Sequence, residues 1–329
     1  MINVAIIGFG FMGITHAHNI LKNKRFNLRA IVTRNDTSVQ SRLEQLQGNF
    51  SSGEVDSATL LSIPVYKTLG ACLRHVQVDA VHICVHTDLH YEMAIEAIQN
   101  GLHVFLEKPM TLRRDEGKLM IAFANQRRVK LMVGHVLRFM PAYQKLKEWI
   151  DTKELGVLKF ISLTRFSGLP GWGQWKEKQE KFGSSGGALF DLLIHDIDFL
   201  NYALGCPDKI ESDNRPGALS MHDYIVAWWR YKNVTAKIEG GNTFHSMFPF
   251  QAGYMARFED ASVAYSSVSP TTIQICTDNN ITNLAIEDPN QGFYNQFDYF
   301  ADCIERGSDP ILCMPESSLM SVELCYQHI

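Results

Sequence analysis

Along the first 135 residues, short apolar runs alternate with amphipathic stretches. The runs are Val4-Ala5-Ile6-Ile7, Leu28-Arg29-Ala30-Ile31-Val32, Ala80-Val81-His82-Ile83-Cys84, His103-Val104-Phe105-Leu106 and Leu131-Met132-Val133. Helix-like stretches lie between them, near 12–23, 36–46, 68–75, 90–100 and 112–127. Apolar runs too short for helices, joined by stretches of helical period, predict buried strands with helical crossovers. The fold class is therefore α/β, with a doubly wound parallel sheet and helices on both faces. Residues 47–63 (GNFSSGEVDSATLLSIP) interrupt the rhythm, and their Gly and Ser predict a surface loop or insertion.

Beyond residue 135 the period changes. "PAYQKLKEWIDT" reads as a helix with Pro141 in its first turn. "LKFISLTRF" reads as a strand, "GWGQWKEKQEKFGSSGG" as a polar, aromatic loop, and "ALFDLLIHDIDFLNYAL" as a helix closed by Gly205. Residues 208–284 alternate apolar and polar positions strand after strand, which predicts a large, mostly antiparallel sheet. Two helices follow, near 293–306 and 315–329; the pattern is still helical at Ile329, leaving room for the natural chain to continue. Two domains are expected, 1–135 and 136–329.

Composition narrows the class. A chain of 329 residues has room for about two domains. It is 46% hydrophobic and 20% charged, the balance of an ordinary globular protein. A net charge of −4 gives no basic surface for nucleic acid. There is no apolar run of membrane-spanning length, and "MINVAIIGFGFMG" is too short and Gly-rich for a signal peptide. Seven cysteines, an odd number without a CxxC, argue against a disulfide framework or a zinc knuckle and for reduced thiols in the cytoplasm.

The first chemical signal is Gly8-Phe9-Gly10-Phe11-Met12-Gly13, a G-x-G-x-x-G between a strand and a helix. Gly8 permits the tight turn, Gly10 lets the backbone approach a pyrophosphate, and Gly13 lets helix and strand pack closely. The helix N-terminus then offers N–H groups to phosphate. An NAD site commonly places an acid at the end of the second strand for the ribose 2′-OH. Here Thr33 and Arg34 stand there, which suits the 2′-phosphate of NADP; Asp36 supplies the acid if the turn is shifted.

The second signal is the end of the fifth strand. Ligands of a doubly wound sheet bind outside the C-terminal strand ends, and Lys108 follows such an end. Pro109 restricts Lys108 to extended conformations and permits a cis bond at small cost. Glu107 and Lys108 are either a solvated strand end or groups set at a catalytic mouth. In the second half, Asp191 and His195 are four apart, hence neighbours on one helix face, with Asp198 near them. A carboxylate beside an imidazole fixes its tautomer and stabilises its protonated form. No further ligands at matching spacing accompany them, so no metal is expected.

The chain resembles the Gfo/Idh/MocA family, the glucose–fructose oxidoreductase and inositol dehydrogenase family. "VAIIGFGFMG", "LHYEMAIEAIQNGLHVFLEKPM", "VGHVLRFMPAYQKLKEWI" and "GGALFDLLIHDIDFLNYALG" carry the resemblance, over nearly the whole chain. It implies an N-terminal Rossmann domain and a C-terminal α/β domain whose open sheet forms a homodimer or homotetramer. It also implies that Lys108 lies near substrate and nicotinamide, that Asp191 and His195 are the active-site Asp and His, and that His90 matches the family's His after the fourth strand. That strand commonly ends Thr-Pro in the family; here it ends Val85-His86, a departure at the wall that the resemblance sets beside the nicotinamide. Leu193 stands where a Gly is frequent.

The expected reaction is hydride transfer between NAD(P) and a secondary alcohol of a sugar, cyclitol or related polyol. His195 serves as general base, oriented by Asp191, and Lys108 holds the reacting oxygen or is itself the base. Candidate substrate contacts are His135, Arg165, Trp172, Trp175 and Asn201, while Arg138 and Phe139 anchor the domain junction. Rival readings are an NAD-dependent glycoside hydrolase acting by transient oxidation and a non-enzymatic dinucleotide sensor.

Overall fold

The computed structural model describes residues 1–34, 39–44, 57–169 and 186–329. Two compact units make up the chain. One comprises residues 1–134 and 293–319, the other 135–292 and 320–329.

The first unit holds a six-stranded, wholly parallel sheet in the order β3-β2-β1-β4-β5-β6. The strands are β1 (Ile2–Ile7), β2 (Phe26–Val32), β3 (Val65–Tyr66), β4 (Ala80–Ile83), β5 (His103–Leu106) and β6 (Leu131–Val133). Helices cover both sheet faces, so the strands read as continuous apolar runs; β4 and β6 are buried at every position. Crossovers run through α1 (Phe11–Lys22), α2 (Val39–Glu44), α3 (Ser57–Ser62), α4 (Leu69–Leu73), α5 (His90–Gln99) and α6 (Arg114–Arg127). The order reverses between β1 and β4, which places the switch point beside Gly8.

Of the stretch 47–63, read as a loop, residues 47–56 lie outside the described residues, while Ser57–Ser62 form helix α3. Ala58-Thr59-Leu60-Leu61 is a helical turn that fully buries Leu60; the Gly and Ser before it hid that signal. The two-residue strand β3 was too short to register as a run.

The second unit holds an eight-stranded sheet, β14-β13-β12-β11-β7-β10-β9-β8. Its strands are β7 (Leu158–Gly168), β8 (Lys209–Arg215), β9 (Tyr224–Arg230), β10 (Thr235–Phe244), β11 (Gln251–Phe258), β12 (Ser262–Ser266), β13 (Thr272–Cys276) and β14 (Ile281–Ala285). Every pairing is antiparallel except β7 with β10. One face buries Ile161, Leu163, Ala227, Trp229, Ile238 and Tyr254. Helix α7 (Pro141–Thr152) packs there: Tyr254 Oη donates to Ala142 O at 2.9 Å. The alternate positions form an open face, with Phe160 and Trp228 half-buried and Met255 61% exposed.

Two helices end the chain, α9 (Gln291–Arg306) and α10 (Pro315–Tyr326). The latter stops before Ile329. His328 folds back instead, its Nδ1 2.7 Å from Leu324 O, and accepts the indole N–H of Trp229 at Nε2, 2.9 Å away. Among the described residues, no helix is long and apolar enough to cross a membrane. All seven cysteines are free thiols.

Candidate active site

The three glycines of the β1–α1 turn are there for different reasons. Gly8 has φ +90°, and a Cβ on it would come within 2.7 Å of Cys84 O. A Cβ on Gly13 would come within 2.2 Å of Gly8 O. The fold itself requires both. Gly10 is different, because a Cβ there would meet nothing within 4 Å. Its bareness serves the space above it. Gly10 also begins α1 with no side-chain cap and no acid in the first turn, so the leading N–H groups are offered to an anion. These residues fit a dinucleotide pyrophosphate.

Around this turn, Phe9 is buried, while Phe11 and Met12 are half-buried. Thr33 is half-buried and its N–H donates to Tyr66 O. The Arg34 side chain is 65% exposed, with Glu92 4.0 Å away. Val85 is half-buried and His86 exposed. Asp36 lies outside the described residues.

At the end of β5 the two charged residues part. Lys108 is half-buried, but Glu107 turns inward and is buried. His16 Nε2, from α1, donates to Glu107 Oε1 at 2.8 Å, and the Lys108 N–H reaches Oε2 at 3.3 Å. Burial pushes the Glu107 carboxyl up, yet His16, Lys108 and His90 overcome it and hold it below the usual range. His16 Nδ1 lies 3.1 Å from His82 Nδ1 and 3.3 Å from Cys84 Sγ. Burial and then His16 drive His82 well below its ordinary value, so His82 is neutral. Phe105, Phe297 and Phe300 enclose this cluster.

The Lys108–Pro109 bond is cis. His90, buried at the start of α5, lies 2.9 Å from Pro109 O through Nδ1 and 3.2 Å from Val85 O through Nε2. Burial lowers its pKa despite both carbonyls and Glu107. A neutral ring donates once, and the shorter contact places the proton on Nδ1. His90 therefore ties down the turn that carries Lys108. His16 and His82 escaped sequence reasoning; the one available signal was a histidine inside the apolar run of β4.

In the second unit Gly186 and Gly187 have φ +78° and +73°. They lead into a π-helical turn, Leu189–Leu193, which passes into α8 (Ile194–Leu204). Asp191 lies in the π turn and His195 in the first turn of α8, both half-buried. A plain helix was expected here; one wide turn does not disturb the apolar period enough to be read. Single π turns of this kind are frequent at functional sites.

Two buried ion pairs pin α8. Arg165 Nε and Nη2 donate to Asp196 at 2.7 and 3.1 Å. Arg138 Nε and Nη2 donate to Asp198 at 2.9 and 2.6 Å. Ser321 Oγ donates to Asp198 Oδ1 at 2.7 Å, and His135 Nδ1 lies 3.4 Å from the same oxygen. Burial raises the Asp198 carboxyl, but Arg138, His135 and Ser321 outweigh it and hold it low. For Asp196 burial outweighs Arg165, and its carboxyl is raised. Thus Arg165 and His135, expected to meet substrate, sit buried beside carboxylates of their own unit. Asn201 donates to Ser321 at 3.0 Å. Trp172 and Trp175 lie outside the described residues. Among the described residues, no group of three or more His, Cys, Asp or Glu is placed to hold a metal ion.

A glycine turn at the switch point of a doubly wound parallel sheet is the architecture of a dinucleotide-binding Rossmann domain, and here a mostly antiparallel sheet follows it in the chain. The chain belongs to the Gfo/Idh/MocA oxidoreductase family: residues 2–135 match its NAD-binding Rossmann fold and residues 143–263 its C-terminal domain. It is 34% identical over 241 residues to an uncharacterised oxidoreductase of Synechocystis, covering 72% of this chain and 60% of that one. It is 26% identical over 328 residues to the scyllo-inositol 2-dehydrogenase (NAD(+)) of Bacillus subtilis, covering 94% of this chain and 88% of that one. In structure it is similar to the UDP-N-acetylglucosamine 3-dehydrogenase of Acidithiobacillus ferrooxidans, with a TM-score of 0.78 at 20% identity over 99% of this chain and 96% of that one. At that identity the likeness is one of fold.

Proposed function

We propose that the chain transfers a hydride reversibly between NADP and a secondary alcohol carbon of a sugar, cyclitol or related polyol. One observation carries the reading: the chain has Lys108 on a turn fixed by Glu107 and His90, and Asp191 and His195 on the π turn and first turn leading into a pinned helix. The nicotinamide, when bound, takes or gives the hydride. His195 takes the hydroxyl proton at an imidazole nitrogen. Asp191 orients that ring and balances its charge. Lys108 holds the same oxygen and stabilises the charge that develops on it; with a neutral amine, Lys108 takes the proton itself.

Relatives named for scyllo-inositol and for UDP-N-acetylglucosamine support ring hydroxyls as the substrate class. The exposed Arg34 guanidinium, 4.0 Å from Glu92, favours a 2′-phosphate and hence NADP. The open face carrying Phe160, Trp228 and Met255 is our candidate for a homodimer or homotetramer contact, and the free thiols suit the cytoplasm. The test is a screen at 340 nm of polyols, sugars and nucleotide sugars with NAD⁺ or NADP⁺. Cofactor reduction by the wild type that Lys108→Ala and His195→Ala abolish is expected. Silence across the panel, with cofactor still bound by calorimetry, overturns the reading in favour of a hydrolase or a sensor.

A further inference from the structure

Strand β10 alternates from Thr235 to Gly240, and its pairing with β7 shifts register between Gly241 and Phe244. Ala236 and Ile238 are buried on the helix-covered face, and Gly240 follows them in register. Asn242 is next on that face. Its N–H still donates to Asp223 O at 3.0 Å, so the row continues on the β9 side even though the β7 side shifts register here. An amide therefore occupies a core-face position. It is 5% exposed, and its side-chain oxygen is buried with no hydrogen-bond partner among the described residues. Folded proteins seldom leave such an oxygen unpaired, because nothing replaces the water it has lost.

Two contacts made by its neighbours bring the turn that carries Asp191 close to this end of β10. Gly240 lies under Leu193 of the π turn: a Cβ there would come within 2.8 Å of Leu193 Cδ2. A Cβ on Gly187, just ahead of the same turn, would come within 2.5 Å of Ser220 Oγ and 3.7 Å of Asp223 Oδ1. Asp223 faces Asn242 across β9 and β10, so Asn242 is bracketed by the two ends of the segment containing Asp191. The neighbouring polar groups are committed. The Asp223 carboxylate accepts from the N–H groups of Leu219 and Ser220 and from Ser220 Oγ. Ser167 Oγ donates to Gly168 O, and Arg165 is held by Asp196. Among the described residues, the Asn242 oxygen is left as an acceptor without a donor.

We propose that Asn242 is a substrate-binding residue of the Asp191–His195 site, its amide oxygen accepting a hydrogen bond from a substrate hydroxyl other than the one oxidised. The inference rests on the polyol dehydrogenase reading above. A site built to bond a hydroxyl gains selectivity from it, because a substrate lacking the group leaves the amide unpaired. It also explains why β10 carries an amide at Asn242 where its earlier core-face positions are Ala236, Ile238 and Gly240.

The test compares wild type, Asn242→Ala and Asn242→Ser on whichever panel compound the wild type oxidises, followed at 340 nm, with thermal melting of the same proteins. KM should rise roughly tenfold in Asn242→Ala, as for one hydrogen bond lost, with kcat changed by less than about threefold. The melting temperature should hold or rise, because a partnerless amide supports nothing in the free protein. A KM within about twofold of wild type overturns the inference, and so does a variant that melts early or fails to fold, because the amide is then a structural prop. Failure of the underlying reading looks different: the wild type itself reduces no cofactor with any compound, and both proposals fall together.

Discussion

Acid should loosen the second unit at one identifiable hydrogen bond. An indole N–H only donates, so the Trp229 bond requires a lone pair on His328 Nε2 and puts the ring's single proton on Nδ1, toward Leu324 O. Protonating Nε2 breaks the Trp229 bond. Burial, the largest influence, drives the His328 pKa from 6.5 to about 4, although carbonyls of Leu324 and Cys325 pull the other way. The folded-state pKa is depressed, so the unfolded chain takes the proton first. Stability is complete above about pH 6.5 and declines as pH falls toward the folded value. The whole shift corresponds to about 3 kcal/mol, and about 2 kcal/mol of it is lost by pH 5. Against a typical stability of about 5–15 kcal/mol that is a large share. His82, His90 and His103 are shifted in the same direction, so the comparison must isolate His328. Urea unfolding followed by tryptophan fluorescence at pH 7.5 and 5.0, wild type against His328→Gln, does so. The wild type should lose about 2 kcal/mol more than the variant over that interval. Equal pH dependence in the two proteins refutes the assignment. The loss bears on the candidate site, because α10 also carries Ser321, which holds Asp198 of α8.

Two further outcomes follow from the geometry. Gly10→Ala should leave the melting temperature within about 2 °C of wild type while weakening NADP⁺ binding at least tenfold by calorimetry, because the added Cβ meets only the space above the turn; a variant that binds normally removes the pyrophosphate from that space. Arg165→Met should cost about 3–5 kcal/mol in urea unfolding by leaving Asp196 buried and unpaired, and Asp196→Leu added to it should restore most of the loss; unchanged stability with a raised KM would return Arg165 to the substrate.

Much of the fold was legible because its signals are local. Parallel strands covered on both faces must be apolar throughout, and β4, β5 and β6 announce themselves that way. The glycine turn was legible for the same reason, with strand, turn and helix adjacent in the chain. What escaped reading is long-range or brief. The Glu107–His16 pair spans 91 residues and the Arg165–Asp196 pair spans 31, and no local period links such partners. A sequence shows Arg165 as a charge but hides its counter-charge, so a buried ion pair resembles a ligand contact. The π turn adds one residue to a helix, and β3 has only two. The orphaned oxygen of Asn242 is visible only once the strand's neighbours are in place.

The most direct test of the reaction is isotopic. A polyol that scores in the screen is labelled with deuterium at the carbon to be oxidised, and the reduced cofactor is analysed by mass spectrometry. The account predicts one deuterium delivered to the nicotinamide for each molecule of ketone formed, with no transfer by Lys108→Ala. Label that stays in the sugar, or a glycosidic bond broken without net reduction of added cofactor, contradicts it.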